Sequence, residues 1–178
     1  MASRSRSKKG LTIREVVIFA MLGAIMFCSK LLMEGLPNIH LLGVLIMAYT
    51  LVYRWKALFP IYVYVFLELL EGAGVWWVPN LYIWAVLWGV TMLLPKSMPK
   101  WLAPFVYCVV CGLHGLAYGT LFAPWQALAW HMSFKATLAW IAAGFPFDLT
   151  QCIGNLCLGV LIIPLATLLR RLDKKAGV

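Results

Sequence analysis

Asp148, Gln151 and Asn155 follow one another at spacings of three and four inside the apolar stretch GFPFDLTQCIGNLCLG. That spacing places all three on one face of a helix. A carboxylate among apolar neighbours is costly unless it faces a bundle interior or a wet cavity, which makes Asp148 a candidate ligand-binding group. Capping is the alternative, because Asp148 follows Pro146 and an acid in a first helical turn favours the helix dipole. Gln151 and Asn155 lie deeper in the same stripe, where capping does not explain them.

Other candidates gather around three predicted loops. Lys30, Glu34, Asn38 and His40 belong to the first, Glu68, Glu71, Trp76, Trp77, Asn80, Tyr82 and Trp84 to the second, and Trp125, Gln126, Trp130, His131 and Trp140 to the third. Amide, imidazole and carboxylate tips beside flat rings suit recognition of an organic molecule. An interfacial aromatic belt is the plainer reading, but a belt decorates both membrane faces, whereas only Tyr53, Trp55 and Trp101 fall near the other boundary. Glu68 and Glu71 share a face and could pair with Lys30 or Lys135 or bind a cation. His114 and Tyr118 stand one turn apart among Gly112, Gly115 and Gly119, which thin the helix for a neighbouring helix or for a ligand. No set has metal-ligand spacing, so no metal or cofactor is expected. Cys108 and Cys111 form a CxxC within an apolar block, where packing and a redox or metal role both remain open. No Ser-His dyad supports catalysis; an enzyme using His114, Asp148 and Glu68, or a non-catalytic assembly protein, are the competing classes.

The elements that must position these groups are membrane helices. Of 178 residues, 63% are apolar and 12% charged, against roughly half and a quarter in soluble domains. The apolar residues form long blocks rather than the alternating pattern of a barrel. The blocks are Ile13 to Met33, His40 to Tyr53, Ala57 to Leu70, Leu81 to Leu94, Trp101 to Phe122 and Phe147 to Leu169, broken by Glu34-Gly35-Leu36-Pro37, Gly72-Ala73-Gly74 and Pro95. The stretch from Pro124 to Pro146 is expected to hold short helices at one membrane face. The first block is too long for a signal core and lacks an A-x-A-like end, so it is expected to be retained as a span. The predicted fold is an all-α membrane protein, a compact six-transmembrane-helix bundle over 13–170. Basic tails at 1–12 and 171–178 flank it.

The net charge of +9 is distributed as membrane anchors rather than as a nucleic-acid surface, so no nucleic-acid partner is expected. With the N-terminus inside, Arg4, Arg6, Lys8, Lys9, Arg14, Arg54, Lys56, Lys96, Lys100, Arg170, Arg171, Lys174 and Lys175 all lie on the inner side, and Lys30 and Lys135 on the outer. Cytoplasmic loops collect Lys and Arg, so both termini are expected in the cytoplasm. Ala20 and Ala24, with Gly23 beside them in AMLGA, form a small-xxx-small pair that lets another helix approach, within the bundle or from a partner.

AMLGA in the first block, the loop EGLPNIHLLG and the closing GFPFDLTQCIGNLCLGVLIIPL resemble the substrate-binding S-components of energy-coupling factor (ECF) vitamin importers, over essentially the whole chain. The resemblance implies a bacterial cytoplasmic-membrane protein that captures a vitamin outside and topples to release it inside. Ala20, Gly23 and Ala24 would face a transmembrane scaffold subunit joined to two ATP-binding cassette ATPases. The chain has no G-x-x-x-x-G-K-[ST] loop, so hydrolysis would belong to those partners. The cobalamin-type members are the most similar, and a broad corrin with amide arms suits many Trp and Tyr faces with Asn, Gln and His donors. Pantothenate, folate and a deazapurine precursor stay open.

Overall fold

The computed structural model describes residues 10–72 and 74–176, and among these the fold is all-helical. The N-terminal basic cluster Arg4, Arg6, Lys8 and Lys9, and Ala73 of the second break, lie outside the described residues. The helices are α1 Ile13–Leu32, α2 Leu42–Tyr53, α3 Leu58–Leu67, α4 Asn80–Leu93, α5 Leu102–Leu116, α6 Tyr118–Ala129, α7 Phe134–Leu158 and α8 Ile162–Ala176. Four helical runs among them are long and apolar enough to cross a membrane: Ile13–Leu32, Leu42–Glu71, Leu102–Ala129 and Phe134–Lys175.

The start of α1 is set by a capping box, in which the Thr12 hydroxyl accepts from the Glu15 amide and the Glu15 carboxylate accepts from the Thr12 amide. Glu15 also pairs with Lys56 in the turn before α3, and Lys30 near the end of α1 pairs with Glu68 and Glu71 in the turn after α3. Ion pairs at both ends make α1 and α3 run parallel. Between them α2 must run the opposite way: the Tyr49 hydroxyl donates to the Leu22 carbonyl and the Tyr53 ring meets Phe19 edge-on. The run Leu42–Glu71 therefore reverses direction at Arg54, where φ is 54° and the backbone leaves the helical region. Trp88 donates to the Arg54 carbonyl, and the Arg54 guanidinium donates to the Met92 carbonyl, which holds this turn against the end of α4.

At Ala117 α5 gives way to α6 with little change of course, since the Leu121 amide still donates to the Ala117 carbonyl. Together α5 and α6 run antiparallel to α7. A Cβ on Gly115 would lie 2.8 Å from the Asn155 amide nitrogen and 3.0 Å from the Gln151 carbonyl oxygen, and one on Gly112 would lie 2.7 Å from Leu156. The glycines left open between ligand approach and helix packing are used here for packing.

The segment 124–146 departs from the sequence expectation of short surface helices. α6 continues to Ala129, the chain turns through His131 at φ 49°, and Ser133 caps a helix that runs unbroken past Pro146. Proline removes one helix bond, but the helix before it, with Ala136, Ala139, Ala142 and Ala143, continues across the defect. The closing basic residues Arg171, Lys174 and Lys175 lie on α8. The core centres on α2, of which Leu42 to Thr50 are all buried, enclosed by α1, α4, α5 and α8.

Candidate ligand site at the end opposite the basic turns

The turn after α3 carries Glu68, only 2% exposed, into the bundle. Its carboxylate accepts from the Tyr64 hydroxyl at 2.6 Å, the Asn80 amide at 2.9 Å and the Lys30 ammonium at 3.3 Å. Lys30 also pairs with Glu71, so it is the predicted partner that is used, and Lys135 stays exposed at the start of α7. Because the Asn80 amide nitrogen faces Glu68, its oxygen is left to accept from the Tyr118 hydroxyl, at 3.0 Å. One directed chain of bonds thus joins α1, α3, α4 and α6.

Beneath this chain lies Trp84, 2% exposed. Its ring centroid stands 5.9 Å from His40, 5.7 Å from His114, 5.7 Å from Tyr118 and 6.4 Å from Tyr64. The His114 Nε2 is 3.1 Å from the Ile83 carbonyl oxygen. A carbonyl only accepts, so the proton of a neutral ring sits on Nε2 and Nδ1 presents a lone pair. Trp84 Nε1, His114 Nδ1, His40 Nδ1 and Gln151 Nε2 are all buried without a hydrogen-bond partner among the described residues. His40 lies in the loop between α1 and α2, where burial pushes its imidazole down to about 4, aided by repulsion from His114 and Lys30. It is neutral at pH 7.

All three members of the Asp148, Gln151, Asn155 stripe face the interior. Asn155 donates to the Cys111 carbonyl at 3.0 Å. Asp148 accepts from the Gly119 amide at 3.0 Å, one of the free N–H groups at the start of α6. It caps a neighbouring helix rather than its own, since α7 begins far upstream at Phe134. Gln151 lies with its backbone against Gly115, next to His114, and its side-chain nitrogen has no partner.

The remaining sequence candidates divide. Glu34 and Asn38 are exposed but line, with Lys30, His40 and Glu71, a cavity of about 160 Å³ beneath the 33–40 loop. Trp76 lies over the Lys30 ammonium, 5.8 Å from ring centroid to nitrogen. Trp77 donates to the Val65 carbonyl and Tyr82 to the Leu121 carbonyl, so both brace neighbouring elements outside the cluster. On α1, Ala20 is exposed and Ala24 half-buried, whereas Gly23 is not available to a partner: a Cβ there would sit 2.5 Å from Val63 and 2.9 Å from the Pro60 carbonyl oxygen of α3.

Tyr64 is a member of the site that the sequence reading passed over; its position four residues before Glu68 on one helix was the available signal. Cys111 packs against Gly43 of α2, and the five cysteines are free. Among the described residues no group of three His, Cys, Asp or Glu side chains is placed to hold a metal ion. Compared with family models, curated proteins and solved structures, the chain matches none.

Proposed function

We propose that this chain is the substrate-binding subunit of an energy-coupling factor importer in a bacterial cytoplasmic membrane, capturing a vitamin or similar micronutrient at the outer face. The observation that carries the reading is the cluster around Trp84, in which buried hydrogen-bonding atoms without protein partners are held between aromatic rings at one end of a membrane bundle. Leaving such groups unpaired costs about 1–3 kcal/mol each, so they mark a place that a ligand completes. A corrinoid, pantothenate and folate are the ligands the sequence resemblance suggests first.

The reading takes the six apolar blocks of the sequence as six crossings with both termini cytoplasmic. It is supported by the reversal at Arg54, which divides Leu42–Glu71 into two opposed helices. It is also supported by the placement of Arg54, Lys56, Lys96, Lys100, Arg170 and Arg171 at the end away from the Trp84 cluster. α4 has 14 residues and so crosses only with the help of its flanking turns. Ala20 and Ala24 would meet the scaffold subunit that links the chain to two ATPases. The test is expression of the full chain in a bacterium encoding a scaffold and ATPases, followed by purification and vitamin binding. Copurification of the scaffold together with binding of a vitamin is expected; a folded chain that brings down neither scaffold nor ATPase and binds no vitamin refutes the reading.

A further inference from the structure

α1 and α8 both pack against α2, and at the end that carries the basic turns they leave a groove of about 430 Å³ between them. Ile18, Met21 and Ile25 line it from α1, Leu169 and Leu172 from α8, and Tyr53 from the end of α2. Met21 is 60% exposed and Ile25 and Leu172 51% each, so nothing among the described residues covers this face. The groove follows α1 for about 10 Å, the rise from Ile18 to Ile25 at roughly 1.5 Å per residue. In hydrocarbon, where lipid tails are as apolar as leucine, such a groove is filled by packing rather than by a hydrophobic drive.

Charge selects the occupant. Lys175 lines the groove, and Arg171 stands four residues before it and three before Lys174, which puts the three cations on one side of α8. Among the described residues none of the three makes an ion pair. The two acids at this end are engaged elsewhere: Glu15 pairs with Lys56, and Asp173 accepts from the Tyr53 hydroxyl at 2.9 Å. An anion at the mouth of the groove therefore meets cations left without a carboxylate partner. A second copy of this chain is a poor occupant, since its own net charge of +9 would bring further cations to the same end. The face proposed for the scaffold is a different one. At about 100° per residue, Ala20 and Ala24 lie roughly 100–150° round α1 from the row Ile18, Met21, Leu22 and Ile25.

We infer that this groove holds one anionic phospholipid of the cytoplasmic leaflet, its acyl chain lying against Ile18, Met21 and Ile25 and its phosphate accepting from Lys175, with Arg171 and Lys174 beside it. The inference rests on the membrane orientation in the reading above, and on neither the vitamin nor the scaffold. Diffuse attraction of basic segments to an anionic surface needs no groove. Here an apolar slot with a cation at its mouth fixes a single molecule at one place. A lipid so held braces α1 against α8, two helices that both rest on α2.

The experiment uses the purified full chain in detergent, with native mass spectrometry to count bound lipid during titration with phosphatidylglycerol or with zwitterionic phosphatidylethanolamine of the same acyl chains. One phosphatidylglycerol is expected to be retained in preference to phosphatidylethanolamine. Lys175→Gln is expected to weaken that retention roughly fivefold, and Arg171→Gln and Lys174→Gln added to it a further fivefold each, the worth of one basic residue beside an anionic lipid surface. Met21→Trp with Leu172→Trp fills the groove and is expected to abolish retention. Lys96→Gln with Lys100→Gln removes two cations at the same end outside the groove and is expected to leave retention unchanged. All these positions are exposed, so the lipid-free melting temperature is expected to hold in every variant, which separates loss of lipid from loss of the fold. Equal retention of the two lipids, or of neither, overturns the inference. Equal weakening by the Lys96, Lys100 variant assigns the preference to bulk charge, and displacement by inorganic phosphate assigns the cations to a soluble anion; either overturns the lipid site. Retention by the filled groove overturns the placement. A dimer, or a copurifying scaffold, that is lost when the groove is filled gives the face to that partner instead. Vitamin binding and scaffold copurification by the unaltered chain decide the importer reading separately.

Discussion

Replacing Glu68 by leucine removes the acceptor at the centre of the network that joins Tyr64, Asn80 and Lys30. The Tyr64 hydroxyl, on a residue with no exposure, and the Asn80 amide, on one 5% exposed, each lose their acceptor. Stranding a buried polar group costs about 1–3 kcal/mol, and apolar burial of the leucine returns part of it. Lys30 is spared isolation because Glu71 remains. The net loss is about 3 kcal/mol, which for a chain of this length corresponds to a fall of roughly 6–12 °C in melting temperature. Glu71→Gln provides the contrast: that carboxylate is exposed, solvent screens its pair with Lys30, and the loss stays within about 1 kcal/mol. Lys30→Met leaves Glu68 buried without a cation, at about 3–5 kcal/mol, and the double variant Lys30→Met/Glu68→Leu should fall by less than the sum of the two single changes. Thermal unfolding of the purified full chain in one detergent measures all four. Equal losses for Glu68→Leu and Glu71→Gln, or a loss below about 2 °C for Glu68→Leu, would refute the assignment of Glu68 as the hub.

Two further outcomes follow from the same geometry. Ala20→Trp and Ala24→Trp should leave ligand binding by the isolated chain intact while abolishing uptake by cells, because Ala20 is exposed and neither residue reaches the Trp84 cluster; loss of binding in both would place that face in the pocket. For His40, the folded imidazole sits at about 4 against an ordinary 6.5, so between those values the unfolded chain binds the extra proton. Stability contributed by keeping it neutral is complete above pH 6.5 and is lost as pH falls towards 4, and His40→Gln should flatten the melting temperature across that window; an unchanged slope would show that His40 is not the titrating group.

Much of this arrangement is legible in the chain, but unevenly. The first four apolar blocks locate α1 to α4 to within about three residues, whereas the fifth and sixth miss the break at Ala117, the extension to Ala129 and the start of α7 at Phe134; the 148, 151, 155 stripe faces inward as helical periodicity requires. The spacing of Glu68 and Glu71 leaves their cation open between Lys30 and Lys135, and only the parallel packing of α1 on α3 selects Lys30. Gly23 illustrates the same limit. A small residue announces a close approach without naming the neighbour, and here the neighbour is α3 rather than a partner. Pro146 misleads for a different reason: a proline often marks a helix start, but here it lies inside α7, which runs through it from Phe134 to Leu158 and packs against α5 and α6 on the far side of the proline.

The pairing of α1 with α3 bears on how the two ends of the proposed importer subunit would communicate. Lys56 with Glu15 at one end and Lys30 with Glu68 and Glu71 at the other fasten the two helices along their length, and Gly23 brings their backbones together between those fastenings. A force applied at Ala20 on α1 would therefore move α3 with it. Glu68 then passes the displacement to Asn80 and Tyr118, whose ring lies against Trp84. In the proposed function, docking on the scaffold and the shape of the ligand site are thereby linked through one buried carboxylate. The Glu68→Leu variant should accordingly weaken uptake more than its loss of ligand affinity alone accounts for.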